Sequence, residues 1–259
     1  MNIDILYIAT GKYKLYWALF YKSCENYFLT SHVKNYFIFT DDPLFFNQDG
    51  VITLIKIADY GWPEATLFRF NFFSQSFKLF KGDYIYFFNS NYQFLDYVNE
   101  VEIIPLDTEV VVLTWGSYLG KTILDYETMK CNKSIISNLK INKTKFYIQG
   151  GIFGAKNNEF KNLTDFCFKN IEIDYSHGVI PKNNDEFYLN YYLNERPIKV
   201  INHLIGMPEE WGIKSKGIFR NKENDIGFYR LLLKKYKTNG LLLTVKILIK
   251  KIFVNYESN

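Results

Sequence analysis

Hydrophobic residues in the first ninety positions fall into short solid runs, separated by longer stretches with helical spacing. Ile3 to Ala9 is a mostly apolar run that stops at Thr10-Gly11, and Asn35 to Thr40 is another, closed by Asp41-Asp42-Pro43. Val51 to Ile57 is a third, and Tyr84 to Phe88 is a fourth that ends abruptly at Asn89-Ser90-Asn91. Runs of this length bounded by turn residues read as buried strands. Between them, Leu15 to Phe28 carries Leu15, Leu19 and Tyr27 at helical spacing. Trp62-Pro63 opens a second helical stretch reaching about Leu79, with Pro63 suited to its first turn. Strands alternating with helices predict an α/β domain whose mostly parallel sheet is covered by helices on both faces. Ligands of such sheets lie beyond the carboxyl ends of the strands. Thr10-Gly11, Thr40-Asp41-Asp42 and Asn89-Ser90-Asn91 are therefore expected to gather on one edge.

After residue 100 the pattern changes. Val110 to Thr114 and Phe146 to Ile148 are strand-like, and Gly150-Gly151 and Gly154 punctuate the second. A glycine pair directly after a strand lets backbone approach a ligand closely; a bulge or tight turn is the alternative. Asn157 to Lys169 reads as a helix, and Asp185 to Leu193 as another, with acids in its first turn as the macrodipole favours. With no internal repeat or low-complexity linker, the chain divides into one domain over 1–222 and a basic amphipathic tail over 223–259.

Composition narrows the class without naming a function. A 48% hydrophobic and 22% charged chain of 259 residues is an ordinary globular protein. The aromatic share is high, with 24 Phe and 21 Tyr, most of them expected in the core and a few as platforms for sugar rings. Cys24, Cys131 and Cys167 form no CxxC pair, and His32, His177 and His203 are not spaced for a metal. The first residues read as a strand rather than a leader peptide, so a cytoplasmic protein is expected. Net charge is only +4, but from Ile226 to Asn259 the residues Arg230, Lys234, Lys235, Lys237, Lys246, Lys250 and Lys251 stand against the single acid Glu257. Gly240 to Val254 is apolar with lysines on a narrow strip, the pattern of a helix lying in a membrane interface rather than spanning it. Peripheral contact with the inner face of a membrane is expected there, and no nucleic-acid partner.

Four constellations carry candidate chemistry. Asn89-Ser90-Asn91 ends a buried strand where nucleotide-sugar transferases often place an Asp-x-Asp that holds a divalent metal on the diphosphate. Asparagine has the same shape but is neutral and a poor Mg²⁺ or Mn²⁺ ligand; read alone, the triplet is a turn. Asp185-Glu186 offers a carboxylate that stabilises an oxocarbenium-like transition state or attacks it, or else a solvated pair of first-turn acids. Gln149-Gly150-Gly151 is the glycine motif. Lys214, Lys216, Arg220 and Lys222 supply positive charge of the kind a diphosphate leaving group needs.

In order and spacing, ILYIATGKY (5–13), FIFTDD (37–42), GWPEATLFRF (61–70), YIYFFNSNYQF (84–94), FYIQGGIFGA (146–155) and DEFYLNYYL (185–193) resemble glycosyltransferase family 6. This is the family of the blood-group A and B transferases and the α1,3-galactosyltransferase, and the likeness is to its short bacterial members. It covers about residues 1 to 222. The resemblance implies a GT-A type fold that takes UDP-GalNAc or UDP-Gal and makes an α1,3 bond with retention. It implies donor binding by Ile8, Ala9, Thr10, Tyr13, Arg69, Asn89, Asn91, Gln149, Gly150, Gly151 and Asp185, with Arg220 and Lys222 closing over the diphosphate. Glu186 matches the catalytic glutamate. Bacterial relatives with Asn-x-Asn work without a metal, so no divalent cofactor is expected.

There are departures from the family pattern. Asn183-Asn184 replaces a Trp-His pair before Asp-Glu, Ala155 replaces a glycine, and Trp115 stands where many relatives have His. Trp115 and Asn183 are the expected acceptor contacts, to an oligosaccharide or lipid-linked glycan. Gly151 is expected to leave room at the donor's C2 position, which favours UDP-GalNAc. Two other classes stay open here: a catalytically weak nucleotide- or glycan-binding protein, and a membrane-associated protein acting through its tail.

Overall fold

The computed structural model describes residues 1–47, 49–95, 97–98, 100–114, 131–139 and 147–201, and the backbone of 219–221. Its elements run β1 (Asn2–Ile8), α1 (Trp17–Tyr27), β2 (Val33–Thr40), β3 (Ile52–Lys56), α2 (Glu64–Leu67), α3 (Arg69–Ser76), β4 (Tyr84–Phe88) and β5 (Tyr92–Phe94). They continue with α4 (Glu100–Ile103), β6 (Val110–Thr114), β7 (Ile148–Lys156), α5 (Asn157–Ser176), α6 (Asp185–Leu193), β8 (Ile198–Ile201) and β9 (Phe219–Asn221). Seven strands form one sheet in the order β3-β2-β1-β4-β7-β6-β8. Every pairing is parallel except those of β7, which runs against β4 and β6. The mostly parallel, helix-flanked sheet expected from the hydrophobic pattern is the observed one.

Alternation along each strand sorts the core into two layers. Leu6, Phe37, Phe39, Ile85, Phe87 and Phe153 face α3, α5 and α6. Ile5, Tyr7, Ile38, Tyr86, Phe88 and Ile152 face α1 and the segment carrying Phe28, Phe94 and Val98. Burying both faces explains why these strands read as solid apolar runs.

Three boundaries differ from expectation. The helix expected from Trp62-Pro63 to Leu79 is two helices that meet at Phe68, followed by a 3₁₀ turn over Phe77–Leu79. Pro63 stands at the N-cap rather than in the first turn. The Thr66 carbonyl, an end group of α2, accepts the Arg69 Nε–H at 3.1 Å and so takes a side-chain partner. Helix α5 continues past Lys169 to Ser176, because Cys167, Ile171 and Asp174 keep the buried spacing going. The third concerns the glycines. They do not punctuate a strand ending at Ile148; they lie inside β7, which begins there. Gly154 is required by close approach, since a Cβ on it would stand 2.1 Å from the Tyr86 ring.

Candidate active site

The carboxyl ends of β1, β2 and β4 do gather on one edge, because these strands are parallel neighbours in register. At β1 the pairing extends past the strand: the Ala9 N–H donates to Phe39 O at 2.8 Å, and Thr40 Oγ1 donates to Ala9 O at 2.9 Å. Ile8, Ala9 and Thr10 are thereby held extended at the edge. Gly11, at φ +53°, then turns the chain, and its N–H donates to Asp41 Oδ1 at 3.1 Å. Tyr13 follows with its ring 40% exposed, a flat face beside the extended backbone. Lys14 pairs with Asp42 at 2.8 Å and closes this corner.

The Asn89-Ser90-Asn91 segment is a turn and also part of the site wall. Tyr92 N–H donates to Asn89 O at 3.2 Å, closing it, and Tyr7 O–H donates to Ser90 O at 2.9 Å. The Asn89 N–H donates to Gly151 O at 2.8 Å, which ties the turn to β7. Both asparagines are partly buried.

Opposite this turn, β7 bulges. Val112 pairs with Phe153 but Leu113 pairs with Gln149, so Gly150, Gly151 and Ile152 fall outside the β6 register. The bulge releases the Gly150 backbone, and side chains take it up. Its N–H donates to Glu186 Oε1 at 2.8 Å, and its carbonyl accepts from Arg69. A Cβ at 150 would lie 3.0 Å from Asp185 Oδ2 and 3.1 Å from Glu186 Cγ, so a side chain there would require both acids to give way.

Glu186 sits in the first turn of α6, and both its oxygens are hydrogen-bonded. Oε2 accepts the Tyr147 hydroxyl at 2.6 Å, and that hydroxyl in turn accepts from Asn183 Nδ2. These charge-assisted bonds fix the carboxylate against the bulge. Burial, with Glu186 beside it, raises the Tyr147 phenol well above its ordinary value, so Tyr147 is a donor that stays protonated. Helix α6 is pinned by Asn190, whose side chain accepts the Ile148 N–H at 2.9 Å and donates to Ile148 O at 2.7 Å. Asn184 enters this helix at φ +47° and ψ −123°, a positive-φ conformation outside the left-handed helical well and strained for a residue with a side chain, immediately before Asp185 and Glu186.

Arg69 and Asp185 lie behind the bulge, both almost fully buried. The Arg69 guanidinium stacks 4.7 Å from the Phe87 ring centroid. Its Nε stands 3.0 Å from Asp185 Oδ2 but aims its hydrogen at Thr66 O. Asp185 Oδ2 is therefore buried beside a positive charge with no hydrogen bond among the described residues. Burial pushes the Asp185 carboxyl up to about 7, against the lowering pull of Arg69 and with a further rise from Glu186.

The structure thus brings together Asn89, Gln149, Gly150, Gly151, Arg69, Asp185, Glu186 and Asn183. Ile8, Ala9, Thr10 and Tyr13 lie along the same sheet edge. Arg69 donates to Thr66 O and Gly150 O and stands 3.0 Å from Asp185 Oδ2, so it also braces the bulge from within. At Gly151 the space beside the bare α-carbon is bordered by the side chains of Tyr92, Gln149 and Asn89. The backbone of Arg220 lies in β9 opposite Gln93 of β5, two residues beyond Asn91. Its side chain, Lys222 and Trp115 lie outside the described residues. Sequence reasoning passed over Tyr147, Asn190 and Tyr92. The first two each stand one turn or strand step from a named motif, but only their partners across the chain reveal their part.

A family model described as Glycosyltransferase family 6 matches residues 1–209. The chain is similar to the O-antigen biosynthesis glycosyltransferase WbnI of Escherichia coli, 31% identical over 230 residues that cover 87% of this chain and 97% of that protein. It is 26% identical over 211 residues to the rat histo-blood group ABO system transferase 1, covering 77% of this chain and 59% of that one. With the human globoside alpha-1,3-N-acetylgalactosaminyltransferase 1 it shares 22% identity over 224 residues, 78% of this chain and 59% of that one.

Proposed function

The chain belongs to glycosyltransferase family 6, and we propose that it moves N-acetylgalactosamine, or galactose, from a UDP donor to a galactoside in α1,3 linkage, with retention and without a metal. The observation that carries this reading is the clamped Glu186, held by Tyr147 O–H and Gly150 N–H at the ligand edge of the sheet. A carboxylate fixed this way stabilises the positive charge that builds at the anomeric carbon as the C1–O bond to UDP breaks. Asp185 Oδ2, ion-paired with Arg69 but without a hydrogen bond among the described residues, is the acceptor for a hydroxyl of the donor hexose. The uracil lies along Ile8, Ala9 and Thr10 with Tyr13 against its face. Arg69 keeps Gly150 and Asp185 in place, while Arg220 and Lys222 meet the diphosphate. The acceptor hydroxyl enters on the side UDP leaves, its oxygen bonding C1 while its proton passes to the departing phosphate.

Metal independence is supported by the chemistry at 89 and 91: two neutral amides stand where the family's aspartates hold a cation. The Escherichia coli relative is named for O-antigen biosynthesis. In that light the acceptor is an oligosaccharide or lipid-linked glycan, taken in the cytoplasm beside the membrane, with the basic tail as the peripheral contact. No helix among the described residues is long and apolar enough to cross a membrane.

Initial rates with UDP-GalNAc and UDP-Gal on fucosylated galactosides, in excess EDTA and in Mn²⁺, test the whole reading. Transfer in EDTA at a rate close to that in Mn²⁺ is expected, and strict dependence on Mn²⁺ would refute metal independence. Glu186→Gln is expected to lower kcat by orders of magnitude with UDP affinity nearly intact. Near-normal turnover in that variant removes Glu186 from the chemistry.

A further inference from the structure

A groove of about 620 Å³ runs between α3 and the last turn of α5, and none of its lining residues belongs to the candidate active site. Its volume falls within the span of small-molecule sites, roughly 300–1,000 Å³. From α3 and its N-cap come Phe68, Asn71, Phe72 and Gln75, whose i, i+3, i+4, i+7 spacing sets them on one helix face. Glu172, Tyr175 and Ser176 face them from α5, and Tyr60 closes one side from the loop after β3. The aromatic rings touch one another. Tyr60 lies 5.5 Å from Phe68 and 6.0 Å from Phe72, centroid to centroid, and Phe68 lies 4.9 Å from Tyr175. They form one continuous apolar wall, of which Tyr60 and Tyr175 are 50% and 41% exposed.

The polar lining is rich in acceptors. Ser176 spends its proton on Ile173 O at 2.8 Å, which leaves its oxygen to accept, and Glu172 adds a carboxylate. Asn71 Oδ1 has no hydrogen-bond donor among the described residues. Its amide is nearly symmetric in shape, so whichever end faces the groove can meet a hydroxyl, which both donates and accepts. No lysine or arginine lines the groove among the described residues, so it does not suit a phosphate or an anionic lipid. A cage for an organic cation needs aromatic faces set apart around it, whereas these rings are packed against each other. A flat apolar wall edged by acceptors matches a pyranose, with a C–H face for the rings and hydroxyls for the rim. We propose that this groove is a second carbohydrate site, which holds a neutral hexose unit of a glycan away from the reacting end. Such a site raises the effective concentration of a long glycan at the enzyme. The transferase reading supplies only the reason for a glycan to be present.

Amide-resolved NMR of the full chain, titrated with lactose and separately with choline chloride, tests the proposal. Lactose is expected to shift amides in 59–76 and 171–178 with an affinity on the order of 1 mM. Tyr175→Ala removes an exposed ring and Asn71→Leu an unmet amide, and each is expected to weaken that affinity about tenfold. Glu186→Gln is expected to leave the affinity as in the wild type, because the groove is not the catalytic site. Three results overturn the proposal. One is the absence of shifts in both segments with lactose at about ten times that concentration. Another is shifts there with choline and not with lactose, which assign the groove to a cation. The third is a loss of affinity below about threefold in a folded Tyr175→Ala. If Tyr175→Ala does not fold, Asn71→Leu decides by the same threshold. The readout uses no turnover. A chain that binds lactose in the groove yet transfers no sugar keeps this inference and loses the transferase reading.

Discussion

Asp185 is held where a carboxylate is costly and useful at once. Its neighbours are a buried guanidinium at 3.0 Å and the Glu186 carboxylate, and its own Oδ2 has no hydrogen-bond donor among the described residues. With its carboxyl raised to about 7, the folded protein keeps a proton there between about pH 4 and 7 that the unfolded chain has lost. More protons bound in the folded state means that this group's contribution to stability is full at acid pH and falls as pH rises through 7. Asp185→Asn is neutral like the protonated carboxyl and cannot titrate, so its stability is expected to lie close to that of the wild type at acid pH. Relative to wild type it is expected to gain stability from pH 4 to 7, the difference staying constant above. Urea unfolding of both proteins across that range measures it, and a difference that does not change between pH 5 and 8 contradicts the raised carboxyl.

At the scale of elements, the site depends on how α6 is fastened to the start of β7. Asn190 does this with one amide that satisfies both the N–H and the carbonyl of Ile148 and also donates to Glu186 O. Asn190→Leu leaves those buried backbone groups unpaired, a cost on the order of 3 kcal/mol. It also frees α6 to shift under Glu186. The expected result is a lower urea midpoint together with a kcat at least tenfold lower and a donor KM within about threefold of wild type. A folded variant with unchanged kcat shows that α6 is held well enough without Asn190. The same pair of elements marks how far the sequence could be read. The strands β1, β2 and β4 and their polar ends were legible, because a strand buried on both faces writes a solid apolar run and a parallel sheet dictates where its ends meet. Helix α6 was legible from its acids and length. The direction of β7 was not, since period-two patterning is identical for parallel and antiparallel strands. Its glycines read as punctuation for the same reason: a bulge whose freed backbone is satisfied by Arg69 and Glu186 exists only once distant segments are in place. Tyr147 and Asn190 look like ordinary interior residues until their partners are known.

Across the molecule, the high aromatic content resolves mainly into packing: Tyr7, Phe28, Tyr86, Phe88, Phe73 and Phe87 fill the two layers that sandwich the sheet. Their rigidity holds an edge on which polar groups can be set closely. Charge is distributed differently. The family match ends at residue 209, beyond which come β9 and then the strongly basic run from Arg230 to Lys251. Strand β9 pairs with β5 directly after the asparagine turn, so residues 219–221 belong with the donor site by position. The run from Arg230 to Lys251 lies beyond this pairing in sequence. If it is the membrane contact, ending the chain after Lys222 should spare the site and remove the contact. The shortened protein is expected to keep its UDP affinity and melting midpoint. The full chain, and not the shortened one, is expected to co-sediment with vesicles rich in anionic lipid. Each lysine or arginine near such a surface contributes about 1 kcal/mol at moderate ionic strength, and the attraction fades as salt shortens the Debye length. Binding should therefore weaken steeply between low and high salt and be lost on neutral vesicles. Ending the chain before Phe219 instead removes β9, and lower UDP affinity is expected to follow. Equal sedimentation of the full and shortened chains would assign membrane contact, if any, to the domain itself and leave the basic run without that role.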